Sequence, residues 1–211
     1  MIDFYGYGTA NGHKVALMLE ETGLPYRFHY VDMAKGAHQT ADFLKVNPIG
    51  KIPAIVDNDG PGGKPLSVFE TQVIAQYLAE KSGKLMPKDL AARTVAAEWA
   101  THITANLAPA FSAQFYITSR LKGENPTALE YYVGQIHRCI RPIEARLGEM
   151  PYMLGGECSY VDVLLYPMMS VSGARLANGG LDPYPNVRGW MAKMGERPGI
   201  QKGMALIPPM R

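Results

Sequence analysis

Two domains of different kinds follow from this sequence: an α/β domain over residues 1–82 and an all-helical domain over 90–211, joined by a linker at 83–89. Three observations lead there. Strand-like and helix-like segments alternate up to Ser82. The stretch from Gly83 to Asp89, with Pro87 inside it, breaks that alternation. Beyond it, strand signals almost vanish and helical periodicity takes over. A chain of 211 residues has room for two small domains, each with its own core.

The elements can be justified in order. Residues 2–5 are apolar and aromatic and read as a short strand. A helix is expected over 11–23, with an apolar run from Val15 to Leu19 and a stop at Gly23. Residues 26–31 read as a second strand. A short helix at 41–46 is closed by Asn47-Pro48, because a residue before proline is biased away from helix. Residues 54–57 and 66–69 are two short strands, and the segment Asp57 to Pro65 between them is so dense in turn formers that a hairpin-type connection fits. A helix over 71–82 ends at Gly83. In the second domain the pattern predicts helices over 91–122 (bent near Pro109), 127–147 (with Pro142 as an awkward interior residue), 160–174 and 187–197. There is no internal repeat and no low-complexity tract.

Composition narrows the function classes. Hydrophobic residues make up 47% and charged residues 19%, as in a globular protein. A net charge of +2 makes no global electrostatic case for nucleic acid or an anionic membrane. No apolar run approaches the roughly 20 residues of a membrane span. The N-terminus lacks the basic and apolar regions of a signal peptide, so a cytoplasmic location is expected. The two cysteines, Cys139 and Cys158, form no C-x-x-C pair and no metal-ligand cluster, and no disulfide or metal site is expected. Cys139 reads as a core or flanking residue, and Cys158 as the residue that staples the following helix start by packing on Val163. His102 and His137 are lone helical histidines.

Chemistry concentrates at three strand-to-helix or strand-entry junctions. The first is Tyr5-Gly-Tyr-Gly-Thr9-Ala-Asn11-Gly-His-Lys14. A strand that feeds a helix through a glycine-spaced turn leaves free backbone N–H groups at the helix start, where partial positive charge favours an anion. A thiolate would suit, with Thr9 and Asn11 as hydrogen-bond donors. His13 and Lys14 are expected to face solvent or the linker side. The second is Asn47-Pro-Ile-Gly-Lys51-Ile52-Pro53-Ala-Ile-Val-Asp57. A cis bond at Ile52-Pro53 would leave the Ile52 N–H and C=O outward, free to pair with an extended peptide; a trans proline entering an edge strand is the plainer reading of this segment alone. The third is Phe69-Glu70-Thr71, where Glu70 could accept from an ammonium while Thr71 binds a carboxylate, together holding an α-amino acid group; ordinary helix capping is the plainer alternative. Convergence of the three on one end of a small sheet would be typical of an α/β ligand site.

Over essentially its whole length the chain resembles a cytosolic glutathione transferase. The resemblance is carried by Asn47-Pro-x-Gly-Lys-x-Pro53, by Glu70-Thr71, and by Ser159-Tyr-Val-Asp162, which is similar to the helix-capping box of that family's second domain. The start, Thr9-Ala-Asn11-Gly-His-Lys14, is most similar to the bacterial Nu-type, disulfide-reducing group and its yeast regulator relatives. The resemblance implies a thioredoxin-like N-terminal domain followed by the all-helical domain, a homodimer, and glutathione as cosubstrate. Glu70 and Thr71 would hold the γ-glutamyl end. Ile52, ahead of a cis Pro53, would pair with the cysteinyl backbone. Lys51 and His38 would lie near the glycine carboxylate or the peptide rim, and Thr9 and Asn11 would face the sulfur. Thr71 stands where the family commonly has serine. Tyr131 stands where some Nu-type members supply an arginine to the partner subunit, so that contact is not expected here. A tyrosine activates the thiol in other classes, and Tyr5 and Tyr7 are nearby, so the activating group stays open between these and the Thr9–Asn11 pair. A second substrate, a small disulfide or an electrophile, would sit between the domains against Phe111, Phe115, Tyr116, Tyr166, Met168 and Met169. The expected function is a glutathione-dependent enzyme that reduces disulfides, conjugates electrophiles, or does both. The alternative is a non-catalytic relative of the fold used as a binding or regulatory module.

Overall fold

The computed structural model describes residues 1–177 and 179–208. The chain separates into two compact units, one comprising residues 1–86 and 195–211, the other residues 87–194.

The first unit is built on a four-stranded mixed sheet of order β2-β1-β3-β4, from β1 (Ile2–Gly6), β2 (Tyr26–Tyr30), β3 (Ala54–Asp57) and β4 (Leu66–Phe69). β1 and β2 run parallel, which requires a crossover, and α1 (Ala10–Thr22) supplies it. β3 lies antiparallel to β1, and β4 antiparallel to β3. The crossover helix is stopped by Gly23 in the left-handed region, whose N–H bonds the Leu19 carbonyl. α2 (Ala41–Val46) is capped by the Thr40 side chain, and α3 (Thr71–Ser82) follows β4 directly. The sheet and its helices thus follow the β-α-β, β-β-α order expected of the thioredoxin-like domain.

One helix was not anticipated. α9 (Pro198–Leu206) begins with proline at its first turn and packs on α1. The approach is close: a Cβ on Gly203 would come within 2.7 Å of the Leu17 side chain and 2.9 Å of its Cα. Arg197 holds Glu21 by a bond from its Nε, 3.1 Å long, and by a second from its guanidinium end. α1 is therefore covered on several sides by parts of the first unit, and every residue from Gly12 to Leu19 is buried. His13 and Lys14 do not face solvent as expected; they are 6% and 0% exposed.

The second unit contains α4 (Leu90–Thr101), α5 (Ala108–Ser119), α6 (Pro126–Glu149), α7 (Tyr160–Pro167) and most of α8 (Pro185–Gly195). The expected bend near Pro109 takes the form of a π-helical stretch, His102–Leu107, in which the Ala108 N–H reaches back five residues to the Ile103 carbonyl. Proline has no N–H for the ordinary helical bond, and the wider turn reorganises the bonding just ahead of it. A second π stretch, Met168–Ser172, follows Pro167 in the same way. α6 buries Val133, Ile136, Ile140, Ile143 and Leu147, spaced three and four apart, while Pro142 lies on the exposed face. At the start of α7 the expected capping box is present: the Ser159 N–H and Oγ both donate to Asp162 Oδ2, at 3.0 and 2.7 Å. The Met153 N–H and Trp190 Nε1 donate to Oδ1 at 2.8 and 3.0 Å. Burial pushes the Asp162 carboxyl up in spite of these four bonds. Cys158 lies with its sulfur 4.0 Å from Met194 Sδ, and Cys139 is buried with its thiol pushed up by burial. Among the described residues no helix is long and apolar enough to cross a membrane, and no group of His, Cys, Asp and Glu could hold a metal.

Candidate active site

The register of the sheet brings the three predicted junctions to one end. Tyr5 near the end of β1 pairs with Ala54 at the start of β3, and Ala54 pairs with Phe69 at the end of β4. The turn after β1, the proline before β3 and the helix start after β4 therefore leave three neighbouring strands at the same edge.

The first junction is shaped by backbone. The Thr9 N–H bonds the Tyr7 carbonyl at 2.7 Å, folding the chain back before α1 begins. That carbonyl then lies against the helix start, and a Cβ at position 12 would stand 2.1 Å from it, so only glycine fits at Gly12. Thr9 caps α1: its Oγ1 accepts from the Gly12 N–H at 3.0 Å. Because the oxygen accepts there, the hydroxyl proton remains available to an outside acceptor. Asn11, the second residue of the helix, accepts at Oδ1 from Lys14 Nζ at 2.9 Å. Its carboxamide N–H2 has no partner among the described residues. Both side chains are half-buried. The end of a helix, a hydroxyl and a carboxamide thus offer donors at one place, an arrangement that stabilises an anion. The two tyrosines are engaged otherwise. Tyr5 stacks on His29 with ring centroids 4.7 Å apart and packs on the cluster of Val31, Phe43 and Ala54; Tyr7 is buried against Tyr30 at 5.4 Å.

At the second junction the Ile52-Pro53 bond is cis. The Ile52 side chain packs inward on the Val31–Phe43–Ala54 cluster. Its N–H and C=O take no partner among the described residues. The loop ahead is pinned by the buried Asn47, whose Nδ2 donates to the Lys51 carbonyl at 2.7 Å and whose Oδ1 accepts from the Ile49 N–H at 3.0 Å. Gly50, with φ of 64°, lets the chain turn, and its carbonyl accepts from Gln39 Nε2 at 3.0 Å. That bond ties the short turn Ala37–Gln39, which carries His38, to the loop that carries Lys51. Lys51 is exposed, while His38 is half-buried with its Nδ1 enclosed and unpartnered.

At the third junction Glu70 has a positive φ of 69°, uncommon for a residue with a side chain, and makes no capping bond to α3. Its carboxylate is exposed. Thr71, the first residue of the helix, is buried, only 9% exposed. The first-turn N–H groups of α3 are left uncapped by the Glu70 side chain, which suits a carboxylate placed over them.

Residues 10–81 match the glutathione S-transferase N-terminal domain, and residues 109–204 the glutathione S-transferase C-terminal domain. The disulfide-bond oxidoreductase YfcG of Escherichia coli is 34% identical over 208 residues, 98% of this chain and 95% of that protein. The chain belongs to the glutathione S-transferase family. A glutathione transferase family member from Pseudomonas fluorescens, solved with two glutathione bound, superposes with a TM-score of 0.89 at 34% identity, covering 96% of this transferase and 92% of that chain. A Pseudomonas putida glutathione transferase, solved with one glutathione disulfide bound per subunit, gives 0.90 at 32% identity, with 96% and 90% covered.

Of the residues proposed for the second substrate, Phe111, Met168 and Met169 are 4%, 3% and 0% exposed and present almost no surface to a ligand. Phe115 and Tyr166 are partly open and Tyr116 is exposed. Sequence reasoning did not place Lys14 against Asn11. A lysine three residues after Asn11 and followed at once by an apolar run was the available signal, since residues three apart share a helix face.

Proposed function

We propose that this transferase binds glutathione at the common edge of β1, β3 and β4 and activates its sulfur as a thiolate, chiefly for disulfide reduction. The carrying observation is the pair of uncommitted donors, the Thr9 hydroxyl and the Asn11 carboxamide, at the start of α1. A free thiol of this type has a pKa of about 8.5 and is mostly protonated at neutral pH. Donors and a helix N-terminus favour the anion, and a fall of one to two units makes thiolate a major species. The protein then needs no nucleophile of its own; neither of its cysteines lies in the first unit.

The rest of the tripeptide follows the edge. Glu70 receives the γ-glutamyl ammonium, and Thr71 with the α3 start receives its carboxylate. Ile52 pairs with the cysteinyl backbone, and Lys51 and His38 flank the glycine end. The bound thiolate attacks one sulfur of a disulfide, forming a mixed disulfide and releasing the other half as a thiolate that takes a proton from water. A second glutathione thiolate attacks the mixed disulfide, giving glutathione disulfide and the second reduced thiol. The disulfide-bond oxidoreductase YfcG and the glutathione-bound Pseudomonas relatives support this reading. Conjugation to electrophiles draws on the same thiolate. A cytoplasmic homodimer, with glutathione held by a 1–82 domain followed by a linker at 83–89 and a helical 90–211 region, completes the proposal.

The test is glutathione-dependent reduction of 2-hydroxyethyl disulfide beside conjugation of a nitro-aromatic chloride, for the parent, Thr9→Ala and Asn11→Ala. Reduction in the parent, lowered on the order of 100-fold in either variant, is the expected result. Conjugation without reduction would make this a general transferase. Glutathione binding with neither activity would favour the non-catalytic binding module.

A further inference from the structure

The cores of α1 and its neighbours contain one group with no packing reason to be there. Lys14 is entirely buried in a run that is otherwise glycine, histidine and apolar side chains. Among the described residues no carboxylate pairs with it. Its single hydrogen bond among the described residues goes to Asn11 Oδ1. Burying an amine with one neutral partner is costly, and a methionine would fill the same volume without that cost. A residue that spends stability in this way, three positions from a site donor, points to function.

We propose that Lys14 is a positioning residue for Asn11: its buried amine holds the carboxamide oxygen inward, so that the N–H2 group is the one presented to the sulfur. An asparagine side chain left to itself can present either end, and the oxygen would repel a thiolate. Lysine can only donate, so it accepts one of the two orientations and rejects the other. Burial pushes the Lys14 amine down to about 7, and both the charged and the neutral amine keep an N–H for Oδ1. The selection is strict for the charged amine, which has no lone pair, and loosens as the amine becomes neutral.

The inference rests on the reading that Asn11 faces the sulfur, and the test separates the two. Glutathione-dependent disulfide reduction and thermal melting would be measured for Lys14→Met, Lys14→Gln, Asn11→Ala and the double variant Lys14→Met/Asn11→Ala. Lys14→Met should melt no lower than the parent at neutral pH yet lose about 10- to 100-fold in kcat/KM. The double variant should fall no further than Asn11→Ala alone, within about twofold, because the lysine acts through the carboxamide. Lys14→Gln, whose amide can donate or accept, fixes neither orientation and should be impaired like Lys14→Met; if Lys14→Met does not fold, parent-like activity in a folded Lys14→Gln would overturn the proposal. So would unchanged activity in Lys14→Met, or losses that multiply in the double variant. If Asn11→Ala itself keeps full activity, the sulfur-facing reading falls and this inference with it. If Asn11→Ala is impaired and Lys14→Met is not, only this inference falls.

Discussion

Gly12, Thr9, Asn11 and Lys14 form one short mechanical sequence. The Tyr7 carbonyl folds over position 12, which fixes the start of α1, and that start fixes where Thr9 and Asn11 point. Gly12→Ala would drive a methyl group into the Tyr7 carbonyl. It should cost about 1–3 kcal/mol of stability, read from urea unfolding, and lower disulfide reduction although no donor is removed. Glu70 illustrates a different use of a single residue. Among the described residues its side chain makes no hydrogen bond, so Glu70→Gln should leave the melting temperature within a degree or two. If Glu70 holds an ammonium, the same change should weaken glutathione binding about tenfold or more, measured by calorimetry.

Among the elements, α7 and α9 show how distant segments are fastened. Asp162 is 0% exposed and collects four donors from Ser159, Met153 and Trp190. Asp162→Ala would leave those donors unpaired in the interior and should cost about 3 kcal/mol, seen as a lowered denaturant midpoint. The capping box was legible because its residues are neighbours in sequence. The Met153 and Trp190 bonds were not, since nothing in the spacing of residues 153, 162 and 190 says that they meet. α9 was missed for a related reason. It is short, begins at a proline, and owes its place to a surface on α1 nearly two hundred residues earlier. Its partner surface then changed the meaning of α1. A helix beginning Asn-Gly-His-Lys reads as exposed at its start when only one face is assumed to be covered. With α9 and α3 both packed on it, α1 has His13 and Lys14 in the interior.

For the whole molecule, buried charges set how stability depends on pH. Burial alone would raise the Asp57 carboxyl, but Lys81 Nζ at 2.7 Å, the Tyr77 hydroxyl and the Asp59 N–H outweigh it and hold it below the ordinary 3.8. A carboxyl lowered on folding adds stability above its unfolded pKa and loses it as pH falls through the folded one. An acid limb below about pH 4 is expected from this group, and Asp57→Asn should flatten it. Lys14 tilts stability the same way with pH, in a higher window and as a cost that fades rather than a gain that is lost. Its amine is lowered on folding from 10.5 to about 7, so the unfolded chain binds more protons between those values. Its contribution should make the protein more stable as pH rises from 7 toward 10, a slope that Lys14→Met should remove in pH-dependent melting.

The order of strands and helices in the first unit, the capping box of α7 and the residue types at the three junctions were readable from the chain alone. Each depends on neighbours in sequence: apolar periodicity, glycine and proline at chain reversals, a serine three residues ahead of an acid. The partnerships that complete the site depend on contacts between segments far apart. The pairing of Tyr5 with Ala54 and of Ala54 with Phe69 sets the three junctions side by side. The packing of remote segments, α3 and α9 among them, on α1 leaves Lys14 buried, and a lysine in the interior is a different chemical object from one in water: it must find an acceptor, and here the acceptor is Asn11. Local pattern fixes which groups are present at a turn, whereas burial and register, which arise only when remote segments meet, decide which way those groups face.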